Sequence, residues 1–334
     1  MGTVTVPNSK PAPAKADVRL VYMGTAEFAV PTLQRLAAEG YELSAVVTQP
    51  DKPSGRGQLM HAPPVKRSAL DLHLDVHQPA TLKDDSARTF FEGLRPDCIL
   101  VVAYGKLLPS WLIRLPRYGV VNLHGSLLPK YRGAAPIQWA MANGETETGV
   151  CTMQIDEGLD TGPVYLCEKT AIQAEETVQQ LSERLAILGA ELVSRTLEGI
   201  VSGSLQAKPQ DHASASLAPI LRKEDAYIDW SWPAQKIHNR IRAFNPWPGT
   251  LARFRGSACR ILKSKVGESF DGADGPGTIF AVKGQVSVTC GDRVRLHLME
   301  VQLPGKKPVS GGDFANGMRI QVGEQFDRES SQQS

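Results

Sequence analysis

An asparagine and a histidine at the end of an apolar segment are the residues of this sequence best suited to chemistry. The segment from Gly119 to His124 predicts a strand, and strand side chains alternate, so Asn122 and His124 project to one face. An asparagine amide can donate to an oxyanion that grows on a carbonyl, and a histidine exchanges a proton near neutral pH. The pair therefore suits acyl transfer, although two such residues alone more often cap backbone groups.

Two further segments belong to this candidate centre. Residues 125–136 form an irregular loop in which leucines lie between glycine and proline, and such a loop can line a pocket for a flat ring or can be buried structure. Residues 153–163 follow another apolar strand and carry Asp156, Glu157 and Asp160. A carboxylate near His124 would orient the imidazole and stabilise its charged form. The spacing leaves open which of the three acids does so.

Alternating strands and helices are predicted to position these residues. Apolar segments predict strands at 18–24, 43–47, 98–103, 119–124 and 149–155, with helical patterns after the first strand and at 84–94, 134–142 and 175–200. Nearly continuous apolar strands indicate burial on both faces, as in a parallel sheet covered by helices. In such a sheet, ligands bind beyond the carboxyl ends of the strands. We expect the leucines of the last helix to pack in the core.

The length of 334 residues is enough for two domains. We expect an α/β fold in which a Rossmann-like, mostly parallel sheet domain precedes a smaller C-terminal β-rich domain of the OB-like barrel type. Glycine, serine and proline between the two predict a linker. The expected divisions are a disordered extension (1–17), the catalytic domain (18–203), the linker (204–219), the β-rich domain (220–322) and a disordered tail (323–334).

Composition excludes several classes of protein. The five cysteines contain no C-x-x-C pair, which argues against zinc or redox chemistry and favours buried thiols in a reducing compartment. We find no apolar run long enough to span a membrane, and the N-terminus lacks the patterns of a signal or transit peptide. These features predict a cytoplasmic protein, and we expect a monomer.

Positive charge is concentrated in the second half of the chain. Residues 218–310 contain 15 Lys and Arg against 8 Asp and Glu, whereas the whole chain has a net charge of only +2. Such an excess suits a surface that follows phosphates, although cations scattered over a solvated surface would give the same count. The candidates are Lys223, Arg240, Arg242, Arg253 and Arg255.

The ordered motifs from residue 18 to 317 resemble the 10-formyltetrahydrofolate-dependent formyltransferases, and within that family the members that formylate initiator methionyl-tRNA for translation initiation. The resemblance implies that Asn122, His124 and Asp160 are the catalytic residues. It further implies that tetrahydrofolate is bound by two segments, which comprise Ser126, Leu127, Leu128 and Pro129 and, through backbone groups, Lys106, Leu107 and Leu108.

The family's first domain is Rossmann-like without being a dinucleotide site. This agrees with the absence of G-x-G-x-x-G from the present sequence, so we expect no NAD. We also expect no metal in the reaction. The resemblance implies direct attack by the α-amine of methionine on the formyl carbon, with Asn122 and His124 stabilising the oxyanion while Asp160 orients His124 and helps move protons.

The loop at residues 49–58 is rich in proline and glycine and, from its residues alone, predicts a solvated loop. The resemblance implies instead that it enters the tRNA acceptor end. The tRNA contacts expected on this basis are Lys52, Gly55, Arg56, Gly57, Lys223 and Arg242. Residues 241–249 match a signature of the family's second domain, in which we expect Phe244 and Trp247 to pack and not to stack on bases.

Other functions remain to be weighed against this one. A purine-pathway transformylase, a formyl-folate hydrolase domain or a sugar-nucleotide formyltransferase would use the same centre, but the Arg56 loop and the C-terminal signature argue against them. A tRNA-binding protein without activity could keep the fold. The intact set of Asn122, His124 and Asp160 argues against that alternative.

Overall fold

The computed structural model describes residues 14–54, 59–282 and 284–327, which form two compact units. The first unit contains the chain up to Gly133 together with Gly149–Thr170 and Ser182–Leu217. The second contains Ala134–Thr148, Ala171–Leu181 and the chain from Ala218 onward. Two short segments that precede the main part of the second unit in the sequence therefore belong to it.

Strands and helices alternate through the first half of the chain, and strands predominate in the second. The strands are β1 (Arg19–Gly24), β2 (Glu42–Val47), β3 (Lys52–Ser54), β4 (Leu59–His61), β5 (Val76–His77), β6 (Cys98–Val102), β7 (Val120–His124), β8 (Arg132–Gly133), β9 (Glu147–Gln154), β10 (Val164–Ala171), β11 (Leu217–Ala218), β12 (Leu251–Phe254), β13 (Ser257–Ser269), β14 (Ile279–Val282), β15 (Gln285–Thr289), β16 (Val294–Gln302) and β17 (Val309–Ser310). The helices are α1 (Val30–Ala38), α2 (Pro64–Asp71), α3 (Asp85–Leu94), α4 (Ser110–Ile113), α5 (Pro136–Ala142), α6 (Val178–Ser202), α7 (Ala234–Phe244) and α8 (Gly311–Met318).

The large sheet of the first unit is mostly parallel, as predicted. Among the described residues it has seven strands in the order β10-β9-β7-β6-β1-β2-β5. The five strands from β7 to β5 run parallel, and β9 runs antiparallel to β7. Every residue of the apolar strand β6 is buried. Because β6 and β7 are parallel neighbours, the segments that follow them leave the sheet side by side at their carboxyl ends.

The second unit contains an antiparallel sheet, which confirms the smaller β domain. Within the described part of this unit its strands have the order β12-β13-β16-β15-β14, and β17 pairs with β16. The core lies under one face of this sheet and includes Ile237 of α7, Leu296 and Leu298 of β16, and Phe314 of α8. Alternate residues of the strands consequently face away from the core.

The long helix α6 begins slightly later than its pattern predicts. Thr177 precedes the helix, its Oγ1 accepts from the Gln180 backbone N–H, and Gln180 Oε1 in turn accepts from the Thr177 backbone N–H. This reciprocal cap explains why the helix starts at Val178. Leu181, Leu185, Leu192 and Leu197 are buried, which confirms the predicted core role for these four, whereas Leu188 is only half-buried. None of the helices that the structure describes is long and apolar enough to cross a bilayer.

The cysteines correct one expectation. Cys151 on β9 and Cys167 on β10 form a disulfide, since these neighbouring strands bring their Cα atoms to 4.1 Å. The prediction of a buried thiol is wrong for these two. Cys98, Cys259 and Cys290 are buried free thiols, and burial raises the pKa of each to about 12. These three are therefore protonated at neutral pH.

Three segments for which composition predicts little structure have defined contacts. Lys15–Asp17 form a short 3-10 helix, and Lys15 pairs with Glu39 at 2.9 Å. At the other end, Phe326 is buried in the core of the second unit. The expected linker includes β11 and the buried residue Gln210.

Candidate active site

Strand β7 positions the asparagine and the histidine. It lies between β6 and β9, so both edges are hydrogen-bonded and its residues are fixed in register. Asn122 is half-buried, whereas the His124 side chain is only 6% exposed. The predicted placement of the two residues on one strand, two positions apart, is what the structure shows. An amide donor and an imidazole thus share one face at the end of the strand.

A backbone carbonyl holds the His124 ring. Nε2 lies 2.9 Å from the carbonyl oxygen of Tyr131, a buried residue with a left-handed φ of 60°. Because a carbonyl oxygen only accepts, Nε2 carries the hydrogen and donates it. A proton arriving at neutral His124 must therefore bind Nδ1. No pattern in the sequence indicates that the Tyr131 carbonyl would hold His124.

Asp160 faces that second nitrogen. Its Oδ2 lies 3.6 Å from His124 Nδ1 and accepts a 2.7 Å hydrogen bond from the Gly133 backbone N–H. Asp160 itself has a φ of 51°, a conformation that short polar residues tolerate better than most. The other two predicted acids have different partners: Asp156 accepts from Thr161 Oγ1 at 2.7 Å, and exposed Glu157 lies 3.5 Å from Arg114.

A buried glutamine joins the two segments that flank the site. The Gln210 amide donates to the carbonyl oxygens of Asp160 (2.9 Å) and Gly162 (2.7 Å). Its Oε1 accepts from Arg132 Nη2 at 2.7 Å and from Arg132 Nε at 3.2 Å. Arg132 directly precedes Gly133, whose N–H binds the Asp160 carboxylate. Sequence reasoning missed Gln210 because it lies in a polar stretch that resembles a linker.

The two predicted folate segments follow β7 and β6, which are neighbours in the sheet. After β7, Ser126 is fully buried and its Oγ donates to the Lys130 carbonyl at 2.6 Å, while Leu127, Leu128 and Pro129 are half-buried. After β6, Lys106 Nζ donates to the carbonyl of Ala80 at 2.8 Å. Leu107 is 85% exposed and Leu108 is half-buried. Apolar side chains thus remain accessible in both segments.

Comparisons with known proteins cover both parts of the chain. The family model "Formyl transferase" matches residues 18–197, and the model "Formyl transferase, C-terminal domain" matches residues 220–319. The chain belongs to the formyl transferase family. It is 46% identical over 309 residues to a protein of Solibacter usitatus named methionyl-tRNA formyltransferase, covering 92% of this chain and 98% of that protein. It is 47% identical over 301 residues to the protein of that name from Acidobacterium capsulatum, covering 90% and 96%.

Solved structures share the fold of this formyl transferase at lower identity. The N-formyltransferase of Helicobacter canadensis, solved with folinic acid and dTDP-3-aminofucose, superposes with a TM-score of 0.64 at 20% identity, covering 84% of this chain and 98% of that one. HypX of Aquifex aeolicus, solved with tetrahydrofolic acid, gives 0.61 at 15% identity, covering 92% and 48%. These similarities concern the fold alone.

Gln49 connects the segment after β6 of this family member to strand β3. Its Nε2 donates to the Tyr104 carbonyl at 2.8 Å, and its Oε1 accepts from Lys52 Nζ at 2.7 Å. Gly105, which follows Tyr104, has a φ of 79°, and a Cβ at this position would lie 2.6 Å from Gln49 Nε2. Glycine is therefore required both by the backbone conformation and by the close approach of Gln49.

The cations predicted to contact tRNA have different surroundings. Lys52 and Lys223 are exposed, while Gly55, Arg56 and Gly57 lie outside the described residues. Arg242 Nη1 donates to the carbonyl oxygens of Gln173 (3.1 Å) and Glu176 (2.8 Å), and burial lowers its pKa. Arg242 is thus occupied by backbone acceptors of its own unit.

Two of the remaining candidates of the second unit are also engaged, whereas Arg253 is exposed and lies over the Tyr227 ring at 5.6 Å. Arg255 pairs with Glu324 at 2.6 Å, and Arg240 lies against the Trp232 ring at 4.8 Å with its pKa lowered by burial. The two aromatic residues of the signature at residues 241–249 differ from each other in burial. Phe244 is buried against Trp139, which confirms packing, but Trp247 is 54% exposed, so its predicted packing role is wrong.

Proposed function

We propose that this chain transfers the formyl group of 10-formyltetrahydrofolate to the α-amino group of methionine on initiator methionyl-tRNA, for translation initiation. The observation that carries the proposal is the meeting of Asn122, His124 and Asp160 at the end of β7, with Asp160 Oδ2 3.6 Å from His124 Nδ1. Relatives named methionyl-tRNA formyltransferase match more than nine-tenths of the chain at 44–46% identity. We place the reaction in the cytoplasm.

The residues after β6 and β7 fit a folate. Exposed Leu107 and half-buried Leu127, Leu128 and Pro129 offer apolar contacts for a flat ring, and the backbone groups of Lys106 to Leu108 can read its polar edge. When bound, the donor supplies a formyl carbonyl, which is the electrophile of the reaction. The chain's own part is to hold that carbonyl against Asn122.

Asn122 and His124 divide the chemistry. The Asn122 amide donates to the oxygen of the formyl group as negative charge grows on it. His124 accepts the proton lost by the attacking amine on Nδ1, because Nε2 remains bonded to the Tyr131 carbonyl. Asp160 then stabilises the resulting imidazolium from 3.6 Å. No acyl-enzyme forms in this scheme, since the amine attacks the donor directly. The formyl carbon–N10 bond then breaks, and the proton held on His124 Nδ1 passes to N10 of the departing tetrahydrofolate.

The tRNA is held at two places in this proposal. Lys52, together with Gly55, Arg56 and Gly57, contacts the acceptor end, and Gln49 fixes the position of Lys52 next to the folate segment. Lys223 is an exposed cation in the second unit and remains a candidate for a phosphate.

The decisive experiment compares acceptors for the formyl group. Purified protein and 10-formyltetrahydrofolate are incubated with Met-charged initiator tRNA, Met-charged elongator tRNA, free methionine, a dTDP-amino sugar and a small ribonucleotide amine. We expect rapid formylation of the initiator alone. Equal turnover of the amino sugar or the ribonucleotide amine would overturn the tRNA assignment, and binding of tRNA without any turnover would indicate a binding protein.

A further inference from the structure

The second unit carries a cationic and aromatic surface outside its core, formed by the strands β13 to β16. We name it the stacked-arginine face. It comprises Lys265, Phe270, Phe280, Ser287, Arg295 and His297.

Strand register places four of these residues in one row. Lys265 on β13 pairs with His297 on β16, His297 pairs with Ser287 on β15, and Ser287 pairs with Phe280 on β14. Directly paired residues project to the same face of a sheet, and the neighbouring Leu296 is buried in the core. The row therefore lies on the face turned away from the core of its own unit.

Arg295 is held on this face by aromatic rings. Its guanidinium carbon lies 3.8 Å from the centroid of Phe280 and 4.8 Å from that of Phe270, and the two rings are 6.3 Å apart. Stacking engages the flat side of a guanidinium and leaves its in-plane N–H donors available. Arg295 Nε is buried with no hydrogen-bond partner among the described residues, so an anion would bind through the terminal nitrogens of the guanidinium.

Two cations on this face, Lys265 and Arg295, have no ion pair among the described residues, whereas Arg255 of the same unit is paired with Glu324. Two adjoining grooves of about 780 and about 270 Å³ open here and share Gln285, Arg295 and His297. The acidic residue of their lining is Glu268. Unpaired cations beside open grooves are complementary to an anion.

We propose that the stacked-arginine face binds the RNA of the substrate, with a backbone phosphate on Arg295 and Lys265 and an unpaired base in the groove beside Phe280. Flat aromatic rings stack on bases irrespective of sequence, and arginine matches a phosphate with two parallel hydrogen bonds. A protein partner would instead favour a continuous apolar centre. The inference rests on the proposed function, because tRNA is the RNA of that reaction.

The test measures formylation kinetics and tRNA binding for three variants of the full chain. Arg295→Ala removes the stacked cation, Arg295→Lys keeps the charge but not the planar stack, and Gln285→Glu adds a negative charge at an exposed position that lines both grooves. We expect Arg295→Ala and Gln285→Glu to raise KM for Met-tRNA about 10-fold. The value of kcat and the affinity for tetrahydrofolate stay unchanged. Arg295→Lys retains the wild-type salt dependence of tRNA binding but not the affinity.

Arg117→Ala is the matched control. Arg117 is another exposed arginine that lies over a ring, Tyr118, at 4.6 Å, but it lies outside both grooves. Equal losses in Arg117→Ala and Arg295→Ala would overturn the proposal, because they would indicate a diffuse charge effect. Thermal unfolding of each variant separates binding from misfolding, and Gln285→Glu removes no packed side chain.

The outcomes distinguish this inference from the proposed function. If the wild type formylates Met-tRNA and all three variants keep its KM, the proposed RNA binding at the stacked-arginine face is wrong. The proposed formylation of Met-tRNA is then unaffected. If the wild type forms no formyl-Met-tRNA, the function fails, and direct binding of uncharged tRNA still tests the face. A change in oligomeric state with an unchanged KM would identify a protein contact and overturn the RNA assignment.

Discussion

The end of β7 and the stacked-arginine face hold their polar side chains in different ways. At the end of β7, backbone groups fix both reacting side chains, since the Tyr131 carbonyl accepts from His124 and the Gly133 N–H donates to Asp160. On the stacked-arginine face, the flat sides of Phe270 and Phe280 hold Arg295 and leave its donors open. Backbone hydrogen bonds hold His124 and Asp160 in one orientation, whereas ring stacking lets the Arg295 guanidinium turn toward a phosphate. The first arrangement favours a high rate of formyl transfer, and the second favours tight binding of RNA.

Removing the imidazole is the strongest way to test the first half of this comparison. His124→Ala should lower the single-turnover rate of formylation by about 10²-fold or more, because no group then accepts the amine proton. His124→Gln should lose as much, since a glutamine can still donate to the Tyr131 carbonyl but cannot take a proton. Tetrahydrofolate affinity serves as the control. A wild-type rate in either variant would contradict the proposed role.

Gln210→Leu tests whether the hydrogen bonds that hold the Asp160 backbone affect the rate of formyl transfer. This change removes the hydrogen bonds to the Asp160 and Gly162 carbonyls and the Gln210 oxygen that accepts from Arg132, which keeps its contact with His212 Nδ1. We expect kcat to fall about 10-fold through displacement of Asp160, with KM for tRNA nearly constant.

The matched control for Gln210→Leu is Gln302→Leu, since Gln302 makes a single exposed hydrogen bond to the Lys306 carbonyl. That variant should behave as wild type in rate and in thermal unfolding. A loss of stability in Gln210→Leu without any loss of kcat would show that the glutamine supports folding and not the site.

Arg242→Ala distinguishes a structural cation from one that binds RNA. Its guanidinium donates to the carbonyls of Gln173 and Glu176, so we expect the free energy of unfolding to fall by about 1–3 kcal/mol. KM for tRNA, measured well below the unfolding temperature, should change little. Exposed Lys223→Ala is the comparison, with no expected effect on stability. If Arg242→Ala weakened tRNA binding and left the free energy of unfolding unchanged, Arg242 would be an RNA-binding residue after all.

The smallest effect is expected from two glycines with the same backbone conformation. Gly105 and Gly40 have φ values of 79° and 78°, but a Cβ meets Gln49 only at Gly105, and nothing within 4 Å at Gly40. Both alanine variants should lose about 1 kcal/mol of stability through backbone strain. Only Gly105→Ala should also weaken tetrahydrofolate binding, by displacing Gln49. Equal folate affinities in the two variants would argue against a link between Gln49 and the folate segment.

Much of the fold could be predicted because it depends on local patterns. Strand β2 and helix α3 each differ from the predicted bounds by one residue at the start, and the Asp84 side chain caps the first turn of α3. The Cys151–Cys167 disulfide could not be predicted, since it depends on which strands become neighbours. The same holds for Trp247, whose exposure depends on what packs above it.

The sequence by itself determined the alternation of strands and helices, the placement of Asn122 and His124 on one strand face, and the family resemblance. These follow from periodicities of two and of about 3.6 residues and from ordered motifs. Only the tertiary structure decided that Nδ1 of His124 is the free nitrogen, that Gln210 supports Asp160, and that Arg242 donates to backbone carbonyls whereas Arg295 stacks on two aromatic rings. The physical reason is that hydrogen bonding and burial depend on residues distant in sequence, and a count of charges does not record which of them already have partners.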